Sequence, residues 1–207
     1  TKSISYLAPR PKHATFILAR KDKKMRDIFK KIITDFHQTE MPPTLRRDVA
    51  LPVDSGKIVS VIGVRRSGKT SLIYHLIDQL RETIDPTGII YINFEDDRLF
   101  PLELRHLDDL LQAYFELYPQ KRDEKVYMFF DEIQNVEHWE KFVRRIYDSI
   151  NLQIFITGSS SKLLGSEIST ALRGRTLAYE IFPFSFSEYL RFLKIEINLH
   201  SSKSLSY

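Results

Sequence analysis

The chain has 207 residues, of which 43% are apolar, and carries a formal net charge of +4. This composition is typical of a folded domain with a hydrophobic core, and the length suits one α/β domain or one domain with an appendage. No stretch approaches the roughly 18 uninterrupted apolar residues of a membrane span, and the first residues lack the apolar middle of a signal peptide, so we predict a cytoplasmic protein. The absence of cysteine excludes disulfides, thiolate metal ligands and cysteine nucleophiles.

The predicted elements begin with an irregular arm, because the first twenty residues contain Pro9 and Pro11 and show little periodicity. Apolar residues spaced three and four apart then predict an amphipathic helix from Lys23 to Gln38, which the sequence MPP ends. The remaining chain alternates between short apolar runs and amphipathic segments. The predicted strands are 57–63, 88–95, 125–132, 152–159 and 176–183, and the predicted helices are 70–82, 103–118, 138–149 and 185–193.

Strands that alternate with helices at this spacing indicate an α/β fold with a parallel sheet covered on both faces. We divide the chain into three parts on this basis. Residues 1–50 form a basic N-terminal arm and helix, residues 51–195 form the core, and residues 196–207 form a C-terminal tail.

The positive charge is concentrated near the start of the chain. Residues 1–57 contain 13 Lys and Arg against six Asp and Glu, whereas the rest of the chain is net negative. Basic side chains gain free energy by displacing counterions from phosphates, so this region could bind DNA. A solvated helix face explains the same charge equally well. The residues that would contact DNA are Lys23, Lys24, Lys30 and Lys31.

The stretch GVRRSGKT fits the Walker A pattern G-x-x-x-x-G-K-[ST] and lies between a predicted strand and a predicted helix. The glycines let the backbone approach phosphate oxygens closely, and the helix N-terminus adds a partial positive charge. We expect Lys69 to reach the β- and γ-phosphates of ATP and the Thr70 hydroxyl to bind Mg²⁺. The predicted nucleotide-binding residues are Gly63, Val64, Arg65, Arg66, Ser67, Gly68, Lys69, Thr70 and Ser71.

Arg65 and Arg66 occupy the unconstrained positions of this pattern. At these positions the backbone, and not the side chain, contacts the nucleotide. We therefore expect both side chains to point away from the phosphates, towards a neighbouring acidic residue or subunit. Their replacement should alter assembly or turnover more than ATP affinity.

An acidic pair, Asp131 and Glu132, directly follows the apolar run VYMFF, as in a Walker B motif. We expect Asp131 to hold Mg²⁺, usually through a water, and Glu132 to orient and deprotonate the attacking water. An acidic pair after a strand is also compatible with a helix N-cap. The phosphate loop upstream makes the hydrolytic interpretation the better one.

Polar residues at the ends of two other predicted strands are candidates for sensing the γ-phosphate. Thr157 and Ser159 carry hydroxyls that could contact the leaving phosphate or its water. The amide of Asn93 could hydrogen-bond Glu132 and control its position. Serine and asparagine are common after strands, so either signal alone is weak.

Arg173 and Arg175 flank a glycine in the segment ALRGRTL. Two arginines here could bind an acidic neighbour, or enter the site of another subunit and stabilise the charge on the transferred phosphate. The second role would require a homo-oligomer. A surface ion pair explains the same residues equally well.

Five segments together resemble the ATP-binding domain of archaeal and bacterial AAA+-superfamily ATPases, which are often labelled only as predicted ATPases. The resemblance runs from about Asp27 to Leu193. The segments are GVRRSGKTSL, YINFEDDRL, MFFDEIQNVEHWEKFVRRIYD, ITGSSSKLLGSEISTALRGR and PFSFSEYL.

This resemblance implies a P-loop NTPase fold of the AAA+/ASCE type, with strand order 5-1-4-3-2 and an ATP site at the carboxyl ends of the strands. It implies the roles given above for Lys69, Thr70, Asp131 and Glu132, and it marks Arg173 or Arg175 as a candidate arginine finger. It also implies that Trp139 and Phe142 are packing residues. Members of the family usually continue for another domain's length, so we expect a shortened or excised ATPase core, or a missing part on another chain.

Two functions of different classes remain open from the sequence. The first is a Mg²⁺-dependent ATPase that remodels a partner, possibly DNA, with turnover that is weak in so short a chain. The second is a nucleotide-gated DNA-binding module with negligible turnover. A structural platform for a partner protein is a third possibility.

Overall fold

The computed structural model describes residues 12–159, 168 and 170–195. Five parallel strands form one sheet in the order β2-β3-β4-β1-β5. The strands are β1 (Ile58–Gly63), β2 (Ile89–Asn93), β3 (Val126–Asp131), β4 (Leu152–Ser159) and β5 (Thr176–Glu180). The helices are α1 (Lys12–Gln38), α2 (Lys69–Arg81), α3 (His106–Leu117), α4 (Trp139–Ser149) and α5 (Phe186–Phe192). This is the implied strand order 5-1-4-3-2 read from the other edge, so the predicted fold is confirmed.

The sheet separates two hydrophobic clusters because successive residues of a strand face opposite sides. In β1, Val59 and Val61 belong to the cluster under α2, whereas Ile58 and Ile62 belong to the cluster under α1, α3 and α4. β1 and β3 are buried along their whole length, which explains why both are continuous apolar runs without alternation. Trp139 and Phe142 are also buried, in the cluster under α1, α3 and α4, so both are packing residues as the resemblance implied.

α1 begins at Lys12, so the prediction of an irregular arm up to residue 20 is wrong for residues 12–20. This part of the helix contains no glycine or proline and is rich in Ala, Leu, Lys and Arg, which favour helix without any apolar period. The predicted arm before residue 12 and the predicted tail at 196–207 lie outside the described residues.

α1 packs into the core through its second half. Phe29 and Ile33 are fully buried there, and Arg26 and Lys30 pair with acidic residues of α3. In the part of the chain that the structure describes, no helix has the length and apolar character needed to cross a membrane.

The parallel arrangement brings the carboxyl ends of four strands to one edge of the sheet. In register, Gly63 of β1 lies opposite Ser159 of β4, and Asn93 of β2 lies opposite Asp131 of β3. The residues that the sequence singled out at four separate strand ends therefore lie along one edge.

Candidate functional site

The phosphate loop connects β1 to α2 and contains two residues in the left-handed region, Arg66 at φ 66° and Gly68 at φ 92°. Alternation of right- and left-handed residues turns successive N–H groups towards one point and makes an anion-binding concavity. A Cβ at Gly63 would lie 2.2 Å from the carbonyl oxygen of Ile181, so only glycine fits where the loop leaves the sheet.

A cavity of about 470 Å³ opens beside this loop. From the loop and α2 it is lined by Arg65, Arg66, Gly68, Lys69, Thr70 and Ser71. Glu132 and Ser159 complete the lining together with Glu95 and Gln134, which the sequence analysis did not identify. The structure therefore brings the predicted phosphate loop and the predicted base into one cavity at the carboxyl edge of the sheet.

Lys69 has a 4% exposed side chain, and among the described residues its ammonium is the one that forms an ion pair with the proposed base. Its Nζ donates to the carbonyl oxygens of Gly63 and Val64, at 3.2 and 3.3 Å, and lies 3.8 Å from Glu132 Oε1. A buried ammonium held by weak carbonyl contacts and one carboxylate is well placed to exchange them for the oxygens of a bound phosphate.

Asp131 is 1% exposed and accepts hydrogen bonds from three hydroxyl groups. Thr70 Oγ1 and the Tyr91 hydroxyl donate to its Oδ2, at 2.9 and 2.8 Å, and Thr157 donates to its Oδ1. Burial, followed by the negative charge of Asp131, raises the pKa of Tyr91 far above its usual value, so this hydroxyl keeps its proton and remains a donor.

The Thr70 hydroxyl and the Asp131 carboxylate fit a magnesium site because they are adjacent oxygen ligands, and Thr70 lines the cavity. No group of three or more His, Asp or Glu that could hold a metal occurs among the described residues. Mg²⁺ is usually bound by one or two carboxylates together with substrate phosphates. This pair therefore suits Mg²⁺ brought by a nucleotide better than a metal held by the protein alone.

Glu132 lies one residue beyond β3 with φ 54° and ψ 45°, a left-handed conformation that is unfavourable for a glutamate. Its N–H donates to Thr157 Oγ1 at 2.9 Å, which holds the backbone in that conformation. Its carboxylate accepts a hydrogen bond from Gln134 Nε2. Glu132, with the proposed catalytic carboxylate, and Arg66 are thus the two left-handed residues other than glycine among the described residues that line the cavity.

The predicted hydrogen bond between Asn93 and Glu132 is not formed. Asn93 Oδ1 instead accepts from the N–H of Glu95 at 2.8 Å, which closes the turn after β2. Thr157 is directed to Asp131 and to the backbone of Glu132, whereas Ser159 lines the cavity. Of the predicted sensors, the structure places only Ser159 in the lining of the cavity.

Arg65 and Arg66 are both exposed and both line the cavity. Neither forms an ion pair with any acidic residue in the described part of the chain. The acidic neighbour expected for them from the sequence is therefore not found within the described chain.

Arg173 and Arg175 lie near the amino ends of the strands, whereas the cavity lies at the carboxyl ends. The carbonyl oxygen of Arg175 accepts from the N–H of Ile58, the first residue of β1. Arg175 forms a bidentate ion pair with Asp148 at 3.1 and 3.2 Å, as the alternative interpretation expected. Arg173 is exposed, adopts φ 52°, and pairs with no described acidic residue.

The lysines predicted to contact DNA differ in their surroundings. Lys30 is engaged with Glu116 at 2.6 Å. Lys24 and Lys31 are exposed and pair with no acidic residue of the described chain. Lys23 lies within α1, and its side chain is outside the described ones.

Arg47 connects the phosphate loop to two distant segments, and the sequence analysis did not identify it. Its guanidinium donates to the carbonyl oxygen of Ser67 at 2.8 Å, to that of Phe182 at 2.7 Å, and to Glu188 Oε1 at 2.8 Å. The hydrogen bonds from Arg47, with those from the backbone of Asp48 and Ser185, lower the pKa of Glu188 to about 2. The buried ion pair of Arg47 and Glu188 therefore stabilises the phosphate loop.

Comparison with known proteins identifies one family. The sequence model of a family described as AAA domain matches residues 55–190. An uncharacterized protein of Methanocaldococcus jannaschii is 41% identical over 177 residues, which are 85% of this chain and 37% of that protein. An uncharacterized protein of Haemophilus influenzae is 40% identical over 139 residues, 66% of this chain and 34% of that protein. The chain thus spans about a third of the length of these curated relatives.

Solved structures with a similar fold include the Aeropyrum pernix ORC1 protein in complex with DNA, at a TM-score of 0.46 and 12% identity, covering 84% of this chain and 48% of that one. They also include AMPPCP-bound DnaA from Aquifex aeolicus, at a TM-score of 0.42 and 13% identity, covering 83% and 51%.

Proposed function

The chain belongs to the AAA domain family, and from this premise we propose that it is a Mg²⁺-dependent ATPase that couples ATP binding and hydrolysis to the remodelling of a partner. The observation that supports the proposal is the convergence of Lys69, Thr70 and Glu132 at one cavity beside the phosphate loop, with Asp131 hydrogen-bonded to Thr70. These four side chains supply the phosphate contact, the metal ligands and the base that hydrolysis of ATP requires.

Each residue has one role in the reaction. The loop N–H groups and Lys69 bind the β- and γ-phosphates, and Thr70 and Asp131 hold Mg²⁺, which when bound neutralises charge on the phosphate oxygens. Glu132 orients a water and accepts its proton as the water oxygen bonds to the γ-phosphorus. The bond from phosphorus to the oxygen of ADP then breaks, and phosphate leaves.

Phosphate release and thermal stability with and without MgATP test this function. MgATP should raise the melting temperature of the wild type, Lys69→Ala should abolish that shift, and Glu132→Gln should keep the shift but stop phosphate release. Lys57→Ala and Glu137→Gln remove exposed charges outside the cavity and serve as matched controls. Equal phosphate release by wild type and Glu132→Gln would refute the assigned base.

We further propose that Arg173 acts on the cavity of a neighbouring copy. The segment of Arg173 lies beside Ile58 at the start of β1, and the phosphate loop begins at Gly63 at its end. The five residues between these points span about 16 Å at the rise of a strand, so Arg173 cannot reach the cavity of its own chain. The exposed Arg173 has no described ion partner, whereas Arg175 is engaged with Asp148. Arg173 is therefore the better candidate for an arginine finger.

Complementation between variants tests this assignment. Arg173→Ala and Glu132→Gln should each be inactive alone. Their mixture should recover part of the activity, because Arg173 of one copy then serves the intact cavity of the other. Arg175→Ala is the matched control and should stay active. A mixture as inactive as its components would contradict action between copies.

DNA is the partner that we propose to test first. The supporting observation is that Lys24 and Lys31 are exposed, unpaired with described acids, and border one shallow hollow on α1. Duplex binding should weaken steeply with salt, and reversing the charge of both lysines should reduce the slope. Lys30 is already paired with Glu116, so its reversal should act mainly on stability. Absence of duplex binding at low salt would rule out this partner.

A further inference from the structure

Gln134 follows Glu132 by two residues, and the backbone folds it back onto that glutamate. Glu132 is left-handed and starts a short 3-10 turn over Ile133–Asn135. The turn returns the Gln134 side chain to the cavity, where its Nε2 donates to Glu132 Oε2. Both side chains are partly buried, so this contact forms where solvent competes little.

The second polar atom of Gln134, its Oε1, is buried and has no donor among the described residues. The assignment of the two amide atoms follows from the carboxylate, because an Oε1 facing Glu132 would place two acceptors against each other. An unsatisfied buried acceptor is costly, so native proteins keep few of them. Gln134 therefore has an unused acceptor beside the proposed base on a side chain that lines the cavity, and a rotation of that side chain is needed to expose the acceptor to a water there.

We propose that Gln134 is a further catalytic residue that orients the attacking water together with Glu132. The inference rests on the ATPase function proposed above. One O–H of the water donates to Gln134 Oε1 and keeps its proton. The other gives its proton to Glu132 as the bond from the water oxygen to the γ-phosphorus forms and the bond to the oxygen of ADP breaks. The water is thereby held by two acceptors, which directs its lone pair at the phosphorus.

The surroundings of the base favour Gln134 over Asn93 for this role. The acceptor oxygen of Asn93 is already used by the N–H of Glu95. Thr157 is bonded to Asp131, and Lys69 has no acceptor atom. Among the described residues, Gln134 thus both contacts Glu132 through its side chain and keeps a free acceptor.

The test compares wild type with Gln134→Met, which has similar length but no hydrogen-bonding group. We expect kcat for phosphate release to fall about 100- to 1,000-fold, the range for a lost hydrogen-bonding group that acts on the reacting atoms. The Kd for MgATP, measured by calorimetry, should change less than about twofold, because Gln134 acts on the water and not on the nucleotide. The matched control is Gln153→Met, which removes a buried glutamine bonded to Ser55 and Lys57 at the other edge of the sheet. It should keep kcat at temperatures where it is folded.

A double variant separates a shared water from a structural effect. Under single-turnover conditions with excess protein, Glu132→Gln and Glu132→Gln/Gln134→Met should hydrolyse ATP at the same residual rate, because the water has already lost its base. Three results would overturn the inference and leave the ATPase function standing. They are rate losses that multiply in the double variant, a Gln134→Met variant with unchanged kcat, and a Gln134→Met variant that changes only the Kd for MgATP. A wild type without any phosphate release would overturn both.

Discussion

Glu188→Gln removes one charge from the buried ion pair behind the phosphate loop. The Arg47 and Glu188 side chains are 5% and 4% exposed, and Nε of Arg47 lies 2.8 Å from Glu188 Oε1. Without the carboxylate, Arg47 becomes a buried charge whose remaining partners are carbonyl oxygens, those of Ser67 and Phe182. We therefore expect a large loss of stability from a substitution that changes no side-chain volume.

The magnitude follows from the pKa of Glu188, which the hydrogen bonds from Arg47 and from the backbone lower from 4.5 to about 2. That difference corresponds to about 3 kcal/mol. Breaking a buried ion pair by removing one partner costs about 3–5 kcal/mol, which agrees. For a chain of this size, 3 kcal/mol lowers the melting temperature by about 6–12 °C.

The assay is urea unfolding of wild type and Glu188→Gln between pH 7 and pH 3. Because the native pKa lies below the unfolded one, the contribution of Glu188 is complete above about pH 4.5 and is lost as the pH falls towards 2. The difference between the two proteins should therefore be about 3 kcal/mol at pH 7 and shrink below pH 4.5. Glu103→Gln, on an exposed residue, should change stability by less than about 0.5 kcal/mol. A difference below 1 kcal/mol at pH 7, or one that stays constant down to pH 3, would refute the reasoning.

Three further predictions concern the loop, the metal carboxylate and the partly buried His37. Gly63→Ala places a Cβ 2.2 Å from the Ile181 carbonyl and should lower stability by about 1–3 kcal/mol and abolish the MgATP shift in melting temperature; unchanged ATP binding would contradict this. Tyr91→Phe removes a donor from buried Asp131 and should cost about 1–3 kcal/mol in urea unfolding, whereas a neutral effect would show that the bond is dispensable. Burial lowers the pKa of His37, so wild type should lose stability below about pH 6.5, and His37→Gln should lack that loss.

The parts of the site that the sequence predicts are those specified by contiguous residues. The frame of Gly63, Gly68 and Lys69 predicts the phosphate loop because the left-handed conformation found at Gly68 is one that glycine adopts without strain. The apolar run ending at Asp131 and Glu132 predicts a central strand with its acids at the carboxyl edge, because a parallel strand buried on both faces must be apolar until it leaves the sheet. In both cases the local pattern and the global fold impose the same conformation.

The sequence did not predict the contacts that depend on tertiary structure. Arg47 and Glu188 are separated by 141 positions, and no local pattern links them. Tyr91 looks like an ordinary aromatic residue of a strand until the sheet places its hydroxyl against Asp131. Asn93 lies at the strand end where the sequence predicted it. Its predicted hydrogen bond to Glu132 is absent, because the N–H of Glu95 in the turn after β2 occupies its oxygen. The only sequence feature that points to Gln134 is its position two residues after the proposed base.

The two carboxylates at the cavity differ in how firmly they are held, and that difference bears on the proposed reaction. Asp131 is 1% exposed and fixed by three hydroxyl groups, as suits a metal ligand that keeps one geometry. Glu132 is 17% exposed, and its carboxylate is held by Gln134 and by Lys69 at 3.8 Å. Phosphates that bind Lys69 compete with Glu132 for the same ammonium. In the proposed function, binding of ATP therefore frees the base from Lys69 and leaves Gln134 to position it, so the base is released only when its substrate is present.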